Sequence, residues 1–373
     1  YNLLKGKNTT EFQACLDKAA SLSPLNNYPF RIEEIVLFTT LLQERPNDAL
    51  LHYHLGNLLY YLGQKESGLE HWLHATEADP AFAIAARNVG FGYGCLNDLE
   101  KSMKYYDRAI NANPNDPLLL TESDKIYEQA NVPATQRLKR LESHLKTVMK
   151  HDDAVMRLLT LYNATAKYDK AIKIMDTRHF HLWEGGGQVH DIYVDSHMLK
   201  GMQLLKRKQY KEAIREFDLA NQYPANLEVA PSPRGGYEAK VYYLSGIAYE
   251  AMKQADKARE CFEKSAETHF RDYLTDLNYY KIKSLRKLNK NEKADAVLSN
   301  MQKTLERMQQ NLMDSYAKFG EANQNVQQSN ISYYSGLIHL LLKNPSAAKN
   351  DFNQAIQLYP GNIWAKLMNE DVH

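Results

Sequence analysis

Cysteine is scarce in this chain: three residues in 373, Cys15, Cys95 and Cys261. An odd and widely spaced set builds neither a disulfide framework nor a CxxC metal or redox motif, and it leaves the compartment open. Excess charge of one sign is missing too. Lys and Arg number 46 against 45 Asp and Glu, a formal charge of +1. The broad basic field that non-specific phosphate binding requires is therefore absent, and nucleic acid is not an expected partner. No apolar run approaches the roughly 18–20 residues of a membrane span. Nucleophile elbow, paired-carboxylate motif and nucleotide loop are all lacking, so no enzyme is expected in this segment. The chain opens on Tyr1 instead of methionine and reads as a processed chain or an excised segment, so the lack of a signal peptide excludes nothing.

What is present is repetition. Leu55-Gly56, Trp72, Ala75 and Pro80 recur as Val89-Gly90, Tyr106, Ala109 and Pro114, each 34 residues on. Small residues mark where two helices touch, aromatics fill the gap, and proline ends the second helix. Repeats are placed at 49–82 and 83–116 on this basis. Further copies fall at 239–272 (Gly246, Tyr249, Ala258, Phe262) and 329–362 (Gly336, Ala348, Phe352, Ala355, Pro360), with a compressed one at 194–226 (Gly201, Tyr210, Ala213, Phe217). Weaker units fit 152–178 and 275–308, and 117–150 is degenerate, with Pro133 between its helices. Residues 1–48 read as capping helices, and Ile363, Trp364, Leu367 and Met368 as a short helix sealing the last repeat. The Gln- and Asn-rich stretch 304–328 reads as a helical extension with a loop before Ser329.

These copies resemble tetratricopeptide repeats (TPR). The resemblance implies an all-α, right-handed superhelical solenoid of antiparallel helix pairs, with about seven to eight repeats and capping helices. A narrower likeness rests on Tyr28-Pro29-Phe30-Arg31-Ile32-Glu33-Glu34, His181-Leu182-Trp183-Glu184-Gly185-Gly186 and Tyr223-Pro224-Ala225-Asn226-Leu227. It is similar to the carboxy-terminal helical part of large Bacteroidetes TPR proteins, which carry an uncharacterised β-rich upstream domain suspected of a link to carbohydrate. That likeness implies that this chain is a fragment and that any catalysis lies upstream.

By the same resemblance, repeat positions 2, 5, 9, 12 and 13 point into a groove. They select Leu50, Tyr53, Asn57, Tyr60 and Tyr61 in 49–82, and Ile84, Arg87, Phe91, Gly94 and Cys95 in 83–116. In 239–272 they select Lys240, Tyr243, Ile247 and Glu250, and in 329–362 Tyr333, Leu337 and Leu340. Tyrosine gives apolar area and a polar tip at little entropic cost, which suits binding as well as it suits gap-filling. The carboxylate clamp of chaperone-binding TPRs can be tested directly. Asn57 and Asn88 fall on its asparagine positions, but its lysine positions hold Tyr53 and Leu118 and its arginine position holds Glu122. An acid there repels a ligand carboxylate, so chaperone-tail docking is not expected.

Between the repeats lies an insert at 179–193, His179-Phe180-His181-Leu182-Trp183-Glu184 followed by three glycines, which forbid a stable helix. Trp183 beside Glu184 is a platform for a sugar or peptide group, and Arg234 in the Pro- and Gly-rich break 228–237 is the third candidate loop ligand. The two loops would make a polar-aromatic pocket if they met. His179, His181, His190 and His197 with Glu184 and Asp191 match no zinc spacing, and packing or solvent exposure is the reading adopted. No cofactor or metal is expected. The chain reads as a non-enzymatic scaffold whose groove binds a peptide or a neighbouring domain of its own polypeptide. The alternative is a small-ligand or carbohydrate-binding accessory centred on the two loops.

Overall fold

The computed structural model describes residues 9–20, 23–24, 28–181, 188–231, 237–268, 275–314 and 321–372. Among them the chain is helical throughout, with no strand. The helices are α1 Thr9–Ala20, α2 Glu33–Glu44, α3 Ala49–Tyr61, α4 Lys65–Ala78, α5 Ala83–Cys95, α6 Leu99–Ala112, α7 Pro117–Gln129, α8 Ala134–Ser143, α9 Leu145–Val148 and α10 Asp152–Ala164. They continue as α11 Tyr168–Thr177, α12 Gln188–Lys206, α13 Tyr210–Ala220, α14 Glu238–Ala251, α15 Ala255–Glu267, α16 Leu277–Lys287, α17 Asn291–Asp314, α18 Glu321–Leu341, α19 Pro345–Leu358 and α20 Ile363–Asp371.

Local chemistry sets the ends. Asp48 caps α3 by accepting from the N–H groups of Leu50 and Leu51 at 3.0 and 3.1 Å, and Asp98, Asp116, Asn344 and Asn362 cap α6, α7, α19 and α20 in the same way. Eight interhelix turns carry a left-handed residue, Gly63 in the first and then Asn97, Asn131, Ala166, Lys208, Lys253, Asn289 and Lys343. Among the described residues one other non-glycine residue has positive φ: Glu228, which lies in none of these turns.

The chain divides into two compact units. Unit 1 comprises Tyr1–Ala130 with Ser143–Ala154, and unit 2 comprises Asn131–Glu142 with Val155–His373. In each, successive helices pack on one another, and inside the pairs one relation recurs. A glycine on the first helix faces an aromatic ring sixteen residues on: Gly56 and Trp72, Gly90 and Tyr106, Gly201 and Phe217, Gly246 and Phe262, Gly336 and Phe352. A Cβ added at Gly56 would lie 2.5 Å from Trp72 Cδ1, at Gly246 2.6 Å from Phe262 Cε1, and at Gly90 2.8 Å from Tyr106 Cδ2. The absent side chain is what lets the partner helix approach, and this outweighs glycine's weak helix propensity of about 1 kcal/mol relative to alanine.

One detail departs from the sequence reading: α12 begins at Gln188, within the stretch expected to be an insert. Of the stretch expected to hold a loop before Ser329, residues 315–320 lie outside the described residues, and α18 runs unbroken from Glu321 through Ser329. From Glu321 to Ser335 there is neither glycine nor proline, and Gln, Glu and Ala propagate a helix readily. The hydroxyl of Ser329 is buried against α19, donating to the Ala355 carbonyl at 2.7 Å.

Candidate ligand groove

Unit 1 gathers most of the groove residues expected there into a polar strip with an aromatic margin. Asn57 Oδ1 accepts from Trp72 Nε1 at 2.9 Å and from Asn88 Nδ2 at 3.0 Å. Arg87 donates to Asn88 Oδ1 at 3.1 Å and grips both oxygens of Glu122, at 2.8 and 2.5 Å. Tyr106 donates to the same carboxylate at 3.1 Å. This hydrogen bond with Glu122 raises the Arg87 pKa, and burial, with Glu122 beside it, raises that of the Tyr106 phenol. Glu122, the residue that rules out the carboxylate clamp, thus has its charge answered from within the unit.

The rings along this strip divide. Tyr60 stacks on Trp72 at 4.7 Å, Phe91 lies 6.0 Å from Tyr60 with the Arg87 guanidinium 5.7 Å from its own ring, and Tyr61 is 72% exposed. Tyr53 is buried against Phe82 at 5.1 Å, so its ring serves the core. Beside it, His52 Nε2 meets the Pro46 carbonyl at 2.9 Å and His52 Nδ1 meets His71 Nδ1 at 2.8 Å. A carbonyl only accepts, so His52 donates from Nε2 and its Nδ1 accepts the N–H of His71.

Unit 2 holds a cavity of about 730 Å³ lined from α12, α14, α16, the end of α18 and α20. Its floor is apolar and aromatic, with Met202, Leu244, Ile247, Leu340, Tyr243 and Tyr279 among the lining residues. Its charges are mostly basic. Lys206 pairs with Asp371 at 2.6 Å and Lys287 with Glu250 at 2.5 Å. Lys283 has no carboxylate partner among the described residues. Its ammonium donates to the Tyr279 hydroxyl at 3.4 Å and lies 5.0 and 5.2 Å from the centroids of Tyr243 and Tyr279. Burial, and then Lys287, lowers its pKa.

Above the cavity, α20 lies across the first helices of the unit. Trp364 Nε1 donates to Asp195 Oδ1 at 2.9 Å, and the Lys240 ammonium sits 2.8 Å from a Trp364 ring centroid while pairing with Asp276 at 3.0 Å. Burial drives the Asp195 carboxyl up to about 7, against the pull of Lys240 and Trp364, and burial likewise lowers Lys240.

Of the residues expected in the groove of this unit, Tyr243 and Ile247 line the cavity and Lys240 meets Trp364. Tyr333 is buried outside the lining. No groove residue was expected in 194–226 or 275–308, whose signatures are weaker. The same five positions counted from 194 and 275 nevertheless fall on Asp195, Met198, Met202, Leu205 and Lys206, and on Asp276, Tyr279, Lys283, Arg286 and Lys287. Trp183, Glu184 and Arg234 lie outside the described residues, and so does most of the pocket expected between their loops.

Three stretches, 93–116, 239–268 and 333–362, match the model of the tetratricopeptide repeat family, so TPR repeats occur in both units. The chain is similar to YrrB, described as a TPR protein with an unusual peptide-binding site, at 15% identity over 62% of this chain and 91% of YrrB, with a TM-score of 0.33. It is similar to a chain of Naa15/Naa10 bound to HypK-THB at 11% identity over 89% of this chain and 62% of that one, TM-score 0.45. A tetratricopeptide repeat protein from Parabacteroides merdae aligns at 13% identity over 89% of this chain and 97% of its own, TM-score 0.30. Among the described residues no helix is long and apolar enough to cross a membrane.

Proposed function

We propose that the chain is a non-catalytic interaction scaffold, and that unit 2 binds an apolar peptide segment bearing a carboxylate. The observation that carries this reading is Lys283, a cation without a counter-ion set in an apolar, tyrosine-walled cavity of about 730 Å³. A half-buried cation without an anion is partly desolvated in the free protein, and a ligand carboxylate offsets that penalty when it enters. Aliphatic side chains of the ligand cover Ile247 and Leu340, and the tyrosines supply adaptable contact area. The segment belongs to another protein or to a neighbouring domain of the same polypeptide, as the narrower resemblance implies.

The test is fluorescence anisotropy of the whole chain with a panel of labelled apolar peptides, each as the free acid and as its amide. Acids bind more tightly than amides, Lys283→Met removes that preference, and Ile247→Glu weakens every member. A panel that fails to bind, or one whose acid preference survives Lys283→Met, overturns the reading.

A further inference from the structure

Two histidines and a glutamate from chain segments 49 residues apart meet in unit 2 at a place the groove does not use. The segment around Phe180 is extended, with Arg178 at φ −97 and ψ 136. Alternation along an extended backbone puts neighbouring side chains on opposite sides. Phe180 is fully buried, so His179 and His181 both turn outward, their rings 4.7 Å apart. The backbone beneath them is clamped. Phe180 N–H donates to the Asn226 carbonyl at 2.8 Å, and Asn226 Nδ2 donates to the carbonyls of Met175 and Arg178 at 2.6 and 2.8 Å.

Glu228 arrives from the other segment. It follows the short 3-10 turn Ala225–Leu227, whose Leu227 is fully buried, and it sits in the left-handed region at φ 52, ψ 27. The other left-handed non-glycine residues of the chain close interhelix turns. A glutamate there is held against a cost on the order of 1 kcal/mol, and such outliers gather at sites with a task. The conformation brings one oxygen, Glu228 Oε1, to 2.7 Å from His179 Nε2 and 3.7 Å from His181 Nδ1. One ligand atom from each of the three residues lies within 4.8 Å of the other two.

We propose that His179, His181 and Glu228 form a binding site for a divalent transition-metal ion, Zn²⁺ in the first instance. Two imidazoles and a carboxylate on a solvent-facing surface are a donor set that suits zinc and leaves a coordination position for water. Calcium and magnesium, which seek six or more oxygens, are not served by it. Contraction of the three ligand atoms onto an ion at about 2.0–2.2 Å requires rotation of the side chains only, because the backbone is already fixed on both sides. An ion here ties the segment ending α11 to the turn after α13. No sequence motif announces the site: the third ligand comes from Glu228, 47 residues beyond His181.

The experiment is isothermal titration of the EDTA-stripped whole chain with zinc chloride at pH 7.5, with Co²⁺ as a visible-absorption reporter. The expected result is one Zn²⁺ per chain in the micromolar range, weakened about tenfold or more by each of His179→Ala, His181→Ala and Glu228→Gln. His71→Ala, which removes a histidine of unit 1, leaves the binding unchanged, and circular dichroism checks that each variant is folded. Absent or unsaturable binding overturns the proposal. So does binding indifferent to the three substitutions, which would leave His179 and Glu228 a surface ion pair.

Discussion

The indole of Trp364 donates to the carboxylate of Asp195, 169 residues earlier, at 2.9 Å. Burial raises this carboxyl from 3.8 to about 7. A carboxyl whose folded-state value exceeds its unfolded one binds more protons when folded at any pH between the two. Its contribution to stability is whole below the unfolded value and is lost as pH rises through about 7. Asp195→Asn keeps an acceptor for Trp364 and removes the buried charge, while Lys240 retains Asp276. Urea unfolding is expected to show the variant more stable than the parent by about 1–3 kcal/mol at pH 8, with the gain shrinking towards pH 4. A gain that does not change with pH would contradict the assignment.

His71 gives the opposite pH dependence. Burial, followed by His52 and His74, lowers its pKa below 6.5. The unfolded chain then binds more protons between the folded value and 6.5, so this contribution is whole above 6.5 and is lost as pH falls through the folded value. Thermal melts at pH 7.5 and 5.0 should show a smaller acid-induced drop for His71→Gln than for the parent. An equal drop would remove His71 as the cause.

The pairing of Gly246 with Phe262 predicts both a loss and a rescue. Gly246→Val forces a side chain into the ring and destabilises by roughly 1–3 kcal/mol. Adding Phe262→Leu, which vacates that space, should recover part of the loss, so the double variant is more stable than the sum of the two single effects. Additive effects in chemical denaturation would show that the two positions do not share the gap.

Lys283 should separate stability from binding. Lys283→Met replaces a cation lacking an anion with an apolar chain of similar length, and an increase of about 1 kcal/mol is expected, in the range typical of functional-site exchanges. The same variant loses the preference for acidic peptides. Lower stability in Lys283→Met would mean that the contacts of the ammonium with Tyr243 and Tyr279 outweigh its burial.

The repeats were readable because their packing is local. A glycine and a ring sixteen residues apart meet by helix geometry alone, so Gly90 with Tyr106 and Gly336 with Phe352 announce both the pair and its register. The polar strip of unit 1 was legible as a set of positions, including Asn57, Arg87 and Asn88. Its division into exposed and core-facing rings was not. Tyr53 and Tyr61 are the same residue type on one helix, and what packs on Tyr53 is Phe82, the residue that precedes α5. The junction of Trp364 with Asp195 and that of His179 with Glu228 were not readable at all. Each depends on small rotations accumulated over intervening helices, which no short window of sequence records.

Arrays of helical pairs ordinarily lose structure from whichever end is loosest, one module at a time, because each touches only its neighbours. The bond from Trp364 back to Asp195 gives unit 2 a contact that skips every module in between. Fraying of α20 therefore has to break a tie to α12, and amide exchange in the last module should report the opening of the module that α12 begins. Trp364→Ala combined with Lys206→Ala, which removes the ion pair to Asp371 as well, cuts both ties and returns the unit to one-dimensional, end-first melting.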